Sequence, residues 1–335
     1  MSGLRFVDMC AGAGGLALGL EGADFEPVLL LDKKPVACDT LRMNRPTWQV
    51  LEMDLLDFAP SRHQEVYDVD LLSAGLPRVR SGATFARAES DDELRLLEAT
   101  VYLAHAVQPR ALVIENVPCL VSAPGFEPIR DFIRKELDHL GYRFRWFVLN
   151  AADFGVPQDR RQGLLVALKE QYFDAFRPPE PTVREHLSVG QALHRSMALG
   201  GWPDADRWAA QAHSAAPTLV GGSDRRGGAD LGPTGTRKAW ARMGVDGSTV
   251  ADGIPGPDFA WVPETGRHGM VRITTEQAAL LQGFPADWRF AGKKTARYRQ
   301  IGHASPPPVG SALGLAIRAA LATSGAPTGG YTSPP

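Results

Sequence analysis

The 335-residue chain is poor in the residues that staple or anchor a protein. Its three cysteines, Cys10, Cys38 and Cys119, are odd in number and form no Cys-x-x-Cys pair. That spacing argues against both a disulfide framework and a zinc site. No apolar run approaches the ~20 residues that span a bilayer, so no membrane partner is expected. The opening MSGLRFVDMCAG lacks the layout of a secretion signal. An intracellular, cytoplasmic setting is expected, at the nucleoid if the source is bacterial. A net charge of −2 gives no bulk attraction to nucleic acid and leaves such affinity to local patches. Internal repeats are absent. What remains is ordinary: 44% hydrophobic and 22% charged residues, in a length that allows one large domain with a smaller one.

One further lack is local. Residues 74–82, AGLPRVRSG, follow the strand-like YDVDLLS. Loops at the carboxyl ends of parallel strands carry the chemistry of α/β enzymes. This loop offers Arg78, Arg80 and an unassisted Ser81, with no evident nucleophile.

Up to about residue 170 the pattern alternates strand and helix. LRFVDMC, EPVLLLD, VYDVDLLSAG, RALVIENV, RFRWFVLNA and RQGLLVAL read as strands. PVACDTLRMN, DELRLLEATVYLAHAV and FEPIRDFIRKELDHLG read as helices. Continuous apolar strands joined by helices predict a mostly parallel sheet covered on both faces. Near Phe176 the texture turns Pro- and Gly-rich, which predicts a smaller, irregular second domain. Helical pattern returns in TTEQAALLQGF and PPPVGSALGLAIRAALA.

VDMCAGAGGLALGL sets Gly12, Gly14 and Gly15 between a strand and a helix, where they permit a tight turn and close approach of a ligand. Asp32 ends the second strand, where an acid commonly accepts hydrogen bonds from ribose hydroxyls. Asp54 follows the third strand and is placed to meet an adenine amino group. The bland alternative is an ordinary turn with two capping aspartates. Three strand ends in register favour a nucleoside-containing cofactor.

These residues carry a resemblance. FVDMCAGAGGLALGLEGA resembles the first motif of the DNA cytosine-C5 methyltransferases. Ile114–Pro118, IENVP, is similar to their Glu-Asn-Val motif, and NAADFGVPQDRRQ to their Gln-x-Arg-x-Arg motif. RITTEQAALLQGFPADW and KTARYRQIGHASPPPVGSALG resemble the two C-terminal motifs. The landmarks run in family order from Phe6 to about Ile317.

The resemblance implies an α/β, Rossmann-like SAM-dependent methyltransferase fold with a small irregular target-recognition domain. It implies a large lobe at 1–172 and 272–322 and recognition at 173–271; the composition of TSGAPTGGYTSPP predicts a disordered tail at 323–335. Asp8, Cys10, Gly12, Gly14, Gly15, Asp32, Asp54, Pro77 and His303 would surround S-adenosyl-L-methionine (SAM). Glu115 would bind the edge of a cytosine flipped out of double-stranded DNA, with Arg160 in support. In the family a cysteine thiolate adds to C6, and C5 then attacks the SAM methyl.

The resemblance breaks at the loop. Aligning Pro77 with the family's second proline puts Arg78 where that cysteine belongs. A guanidinium stays protonated and is no nucleophile. Cys10, Leu94, Gln162 and His303 also depart from the pattern. Cys119, four residues after Glu115, is an alternative nucleophile, and its bland reading is a small packed side chain.

Asp224–Arg242 holds five Lys or Arg against two Asp, a local positive surface. Arg225, Arg226, Arg237 and Lys238 are candidate DNA contacts, together with Arg80, Gln158 and Thr218. Thr218-Leu219 resembles a landmark of family recognition domains. Three readings stand. The first is a DNA-binding, SAM-binding protein that does not methylate, acting as a regulator or with a protein partner. The second uses Glu115 for hydrolysis or deamination of a flipped base. The third is an active methyltransferase using Cys119.

Overall fold

The computed structural model describes residues 3–79, 87–222 and 228–323; for 87–91 it describes the backbone alone. Strands β1 (Leu4–Met9), β2 (Phe25–Asp32), β3 (Val50–Glu52), β4 (Leu71–Gly75) and β5 (Ala111–Asn116) alternate with helices α1 (Gly15–Glu21), α2 (Pro35–Asn44) and α3 (Arg87–Val107). Helices α4 (Pro118–Ser122) and α5 (Glu127–His139) lead to β6 (Tyr142–Asn150), β7 (Gln158–Asp159) and β8 (Arg161–Lys169). Then follow α6 (Glu170–Phe173), α7 (Val189–Ala198), α8 (Ala205–Gln211), β9 (Ala216–Pro217) and α9 (Thr234–Arg242). The last helices are α10 (Thr275–Leu281), α11 (Lys294–His303) and α12 (Pro307–Ala322).

A seven-stranded sheet has the order β3-β2-β1-β4-β5-β8-β6. β8 runs antiparallel to both β5 and β6. The expectation of a mostly parallel α/β sheet therefore holds. Its one reversed strand was not foreseen.

Each central strand splits its apolar residues between two layers. Leu30, Leu71, Val113 and Leu164 join the cluster beneath α1 and α12, while Leu29, Leu72, Ile114 and Leu165 join the one beneath α3 and α5. Full burial of such side chains stabilises by about 1.5–3 kcal/mol each. That explains why these strands read as continuous apolar runs.

Some expected boundaries move. The strand foreseen from Val66 starts only at Leu71, because Asp68 takes a left-handed φ of 55° and breaks the extended run. The segment expected to be irregular holds three helices, α7, α8 and α9. Its buried Trp202, Trp208 and Trp240 join the same cluster as α12. α12 returns to the sheet and crosses α1 at backbone contact. A Cβ at Gly19 would lie 2.3 Å from the Pro307 carbonyl oxygen.

Chain order reverses between β1 and β4. In an open α/β sheet, the crevice at such a switch point takes the ligand. The glycine-rich loop after β1 and the arginine-bearing loop after β4 both open there.

Candidate active site

The β1 loop is built from unusual backbone. Cys10 and Gly12 have φ of 55° and Gly14 has φ of 84°, within five residues of one another. Ala11 N–H donates to the Leu31 carbonyl at 2.9 Å, and Gly12 N–H to Asp32 Oδ2 at 2.8 Å. The space where a Gly12 Cβ would project is open, so a ligand can lie against this backbone.

Gly15, expected at the cofactor, has a packing role. A Cβ there would lie 2.0 Å from the Ser305 carbonyl oxygen, so its hydrogen admits the C-terminal segment. Gly14 is hemmed in by Leu41 and Trp288 and serves the turn.

Four acidic or thiol groups surround this loop. Asp32 accepts from Gly12 N–H and from Lys34 N–H (2.8 Å), and burial raises its pKa despite those bonds. Asp54 caps a short turn by accepting from Leu56 N–H at 3.1 Å, and it pairs with Lys33 Nζ at 3.1 Å. Burial pushes its pKa up, but these two partners outweigh it and leave the carboxyl below its usual range. The capping role weighed in the sequence is therefore real for Asp54.

Asp8 is fully buried and accepts from Ser73 Oγ at 2.6 Å, while its Oδ2 has no partner. Burial lifts its pKa to about 7; the Ser73 bond opposes this and the Asp32 charge adds to it. Burial, with the charges of Asp32 and Asp8, raises the Cys10 thiol far above its ordinary range, so it stays protonated.

The residues fit SAM. An open glycine cradle adjoins two carboxylates at the ends of neighbouring strands. Each Asp32 oxygen spends one lone pair on an amide and keeps another for a hydroxyl.

The base side lies at the end of β5. Glu115 pairs in register with Gly75 of β4. It is 5% exposed, and its Oε1 has no hydrogen-bond partner. Asn116 pins the neighbouring loop. Its Oδ1 accepts from Val79 N–H at 3.0 Å, and its Nδ2 donates to the Pro77 carbonyl at 3.2 Å. Pro77 is thus held as a loop anchor, and Arg78 is fixed between two pinned residues.

Arg160 is fully buried. Its Nη1 donates to the Leu219 and Gly302 carbonyls at 3.0 and 3.1 Å, and its Nη2 to Gly302 at 3.1 Å. Burial and the Arg78 charge pull its pKa well down, and Glu115 pulls it back up. His303 donates from Nε2 to the Gly222 carbonyl at 3.0 Å. The residue is exposed, yet desolvation of the ring and the charges of Lys34 and Arg78 lower its pKa to about 4. The ring is therefore neutral at pH 7.

The expected DNA contacts divide. Gln158 is not one. It is fully buried, accepts from Leu219 N–H at 2.8 Å, and donates to the Leu281 carbonyl at 3.0 Å and Gln282 Oε1 at 2.6 Å. Thr218 spends its hydroxyl proton on the Asp159 carbonyl at 2.6 Å. With the parallel pairing of β7 and β9, these bonds clamp segment 216–219 onto β7.

Arg237 and Lys238 lie on α9, where a loop was expected. Lys238 and Arg242 lie toward the surface, and Arg237 packs over Gly247. Arg80, Arg225 and Arg226 lie outside the described residues, as does the tail from 324. Cys119, on the second residue of α4, packs against the cluster beneath α3 and α5. The pinning role of Asn116 and the Gln158 clamp were missed. Asn116 was visible in IENVP, but its partner in the loop was not.

A switch-point crevice with a glycine cradle, terminal acids and a buried carboxylate defines a SAM-dependent methyltransferase fold. Solved structures of similar shape include S. pombe Dnmt2 (TM-score 0.60, 17% identity, 92% of this chain and 96% of that one). The Entamoeba histolytica methyltransferase EhMeth is another (TM-score 0.65, 11% identity, 95% and 98%). The C-5 cytosine-specific DNA methylase family model matches residues 4–214 and 226–319, and the chain belongs to that family.

Among its relatives, the type II methyltransferase M.NaeI of Lentzea aerocolonigenes is 43% identical over 96% of this chain and 76% of its own length. M.NgoMIV of Neisseria gonorrhoeae is 40% identical over 94% and 97%. The family uses SAM as methyl donor and DNA as substrate. Both relatives are methyltransferases, so the expectation of a protein that does not methylate gains no support from kinship.

Proposed function

We propose that the protein binds SAM in the β1 crevice and duplex DNA across segment 173–271, and receives a flipped cytosine against Glu115. The observation that carries this reading is the buried, unpartnered Glu115 Oε1 beside Arg160, at the strand end adjoining the glycine cradle. A buried acceptor without a donor is costly, and a cytosine amino group supplies the donor. SAM, when bound, supplies the methyl group.

Two readings of the reaction follow. Arg78, pinned where the family places its thiolate, cannot add to C6, which favours recognition without transfer. The identity of 43% and 40% to two methyltransferases favours transfer, with Cys119 supplying the thiolate.

Incubating the protein with a randomised cytosine-containing duplex pool, with and without SAM, and analysing the nucleosides by mass spectrometry separates them. A SAM-dependent 5-methylcytosine product that vanishes in Cys119→Ala supports transfer. Tight binding with unchanged DNA supports recognition, and deaminated or lost bases would point to hydrolytic use of Glu115. Failure to bind duplex DNA at all refutes the proposal. In the recognition case, methylation by Arg78→Cys identifies the thiolate as the one missing part.

A further inference from the structure

Arg78 occupies a defined place. Its flanking peptide groups are tied to Asn116, the residue after Glu115, through Val79 N–H and the Pro77 carbonyl. The strand end before Arg78 pairs Gly75 with Glu115, and Arg160 donates to the Gly302 carbonyl beside His303. Arg160 feels the charges of Arg78 and Glu115, and His303 that of Arg78, so these groups are neighbours. Arg78 is half-buried and makes no hydrogen bond or ion pair among the described residues.

The other donors nearby are spent or shut in. Arg160 Nη1 and Nη2 serve Leu219 and Gly302. Gln162 Nε2 serves Ser305 Oγ at 2.8 Å, and His303 Nε2 serves Gly222. Arg160 Nε and the Tyr298 hydroxyl lack partners but are fully enclosed. Among the described residues the region therefore offers two buried free acceptors, Glu115 Oε1 and Gln162 Oε1, and one accessible forked donor, Arg78. Cytosine is complementary to Glu115 and Arg78, because it carries an amino donor together with ring and carbonyl acceptors.

We propose that Arg78 is a base-reading residue: its guanidinium donates to an acceptor of the flipped cytosine whose amino group meets Glu115. This rests on the reading that a cytosine enters the pocket.

The test uses the full chain, SAM and a duplex selected from the randomised pool. At each cytosine of that duplex, affinity is compared between a mispaired cytosine and an abasic analogue. At the target position wild type prefers the cytosine, and Arg78 accounts for about 10- to 100-fold of that preference, the worth of a desolvated charge-assisted hydrogen bond. Arg78→Ala lowers the preference by that factor, down to what the Glu115 contact supplies, and leaves abasic affinity unchanged. Arg78→Lys recovers part of it, lacking the fork. If Arg78→Ala keeps the full preference, the role assigned to Arg78 is wrong and the cytosine reading stands. If wild type binds the duplex with no cytosine preference at any position, both fall.

Discussion

Gly12 and Gly15 sit three residues apart in one motif, and substitution should separate their roles. A methyl group at Gly15 lies 2.0 Å from the Ser305 carbonyl oxygen, where real contacts stay beyond 3.0 Å. Backbone must therefore move by about 1 Å or more, and the loop is held by Asp32 and Leu31. Overpacking costs about 1–3 kcal/mol, and a backbone obstacle puts Gly15→Ala at the upper end. That corresponds to a melting-temperature loss of about 4 °C in a chain of this size.

At Gly12 the methyl meets nothing, and only the left-handed φ of 55° is penalised. That costs about 1–2 kcal/mol. Its methyl, however, fills the cradle. Saturating SAM stabilises wild type by about 2.7 kcal/mol at a hundredfold excess over Kd. Differential scanning fluorimetry with and without SAM should find this upward shift kept in Gly15→Ala and greatly reduced in Gly12→Ala. If Gly15→Ala melts like wild type, or if the two SAM responses are exchanged, the division of roles is wrong.

Further outcomes are expected elsewhere. Asp8 has its folded pKa raised to about 7 from 3.8, so the stability it contributes is present at low pH and is lost as pH rises through about 7. Asp8→Asn should therefore raise the melting temperature more at pH 8 than at pH 5. Arg160→Met leaves two buried carbonyls without donors and should cost about 3–5 kcal/mol in urea unfolding. It should also expose segment 216–219 to limited proteolysis. Lys238→Glu with Arg242→Glu should weaken binding to the randomised duplex and reduce the salt slope by about 1 for each phosphate that the variant no longer neutralises. An unchanged slope would remove α9 from the DNA surface.

Much of the fold was legible because buried strands must be apolar on both faces. Val7 and Leu72 face one layer while Phe6 and Leu71 face the other, which yields unbroken hydrophobic runs. Strand direction leaves no such trace. RQGLLVAL reads the same parallel or reversed, and only pairing with RFRWFVLNA reveals its sense. The glycine cradle and terminal acids were legible because their chemistry is local. Gln158 was misread because an amide side chain suits base reading and buried clamping equally. Its partners Leu281 and Gln282 lie over a hundred positions away, beyond any local pattern. The tryptophans packed around α7 and α8 carry no helical period, so their segment seemed irregular.

The contact between Gly15 and Ser305, with the crossing of α1 and α12, bears on the order in which the protein is made. The cradle leaves the ribosome well before its packing partners at 305–322, which lie far downstream in the chain. Until residues 305–322 emerge, the glycine-rich turn has no surface to settle against. Completion of the crevice is thus tied to the synthesis of α12. A nascent chain stalled short of α12 should carry most of the sheet and no SAM-binding capacity.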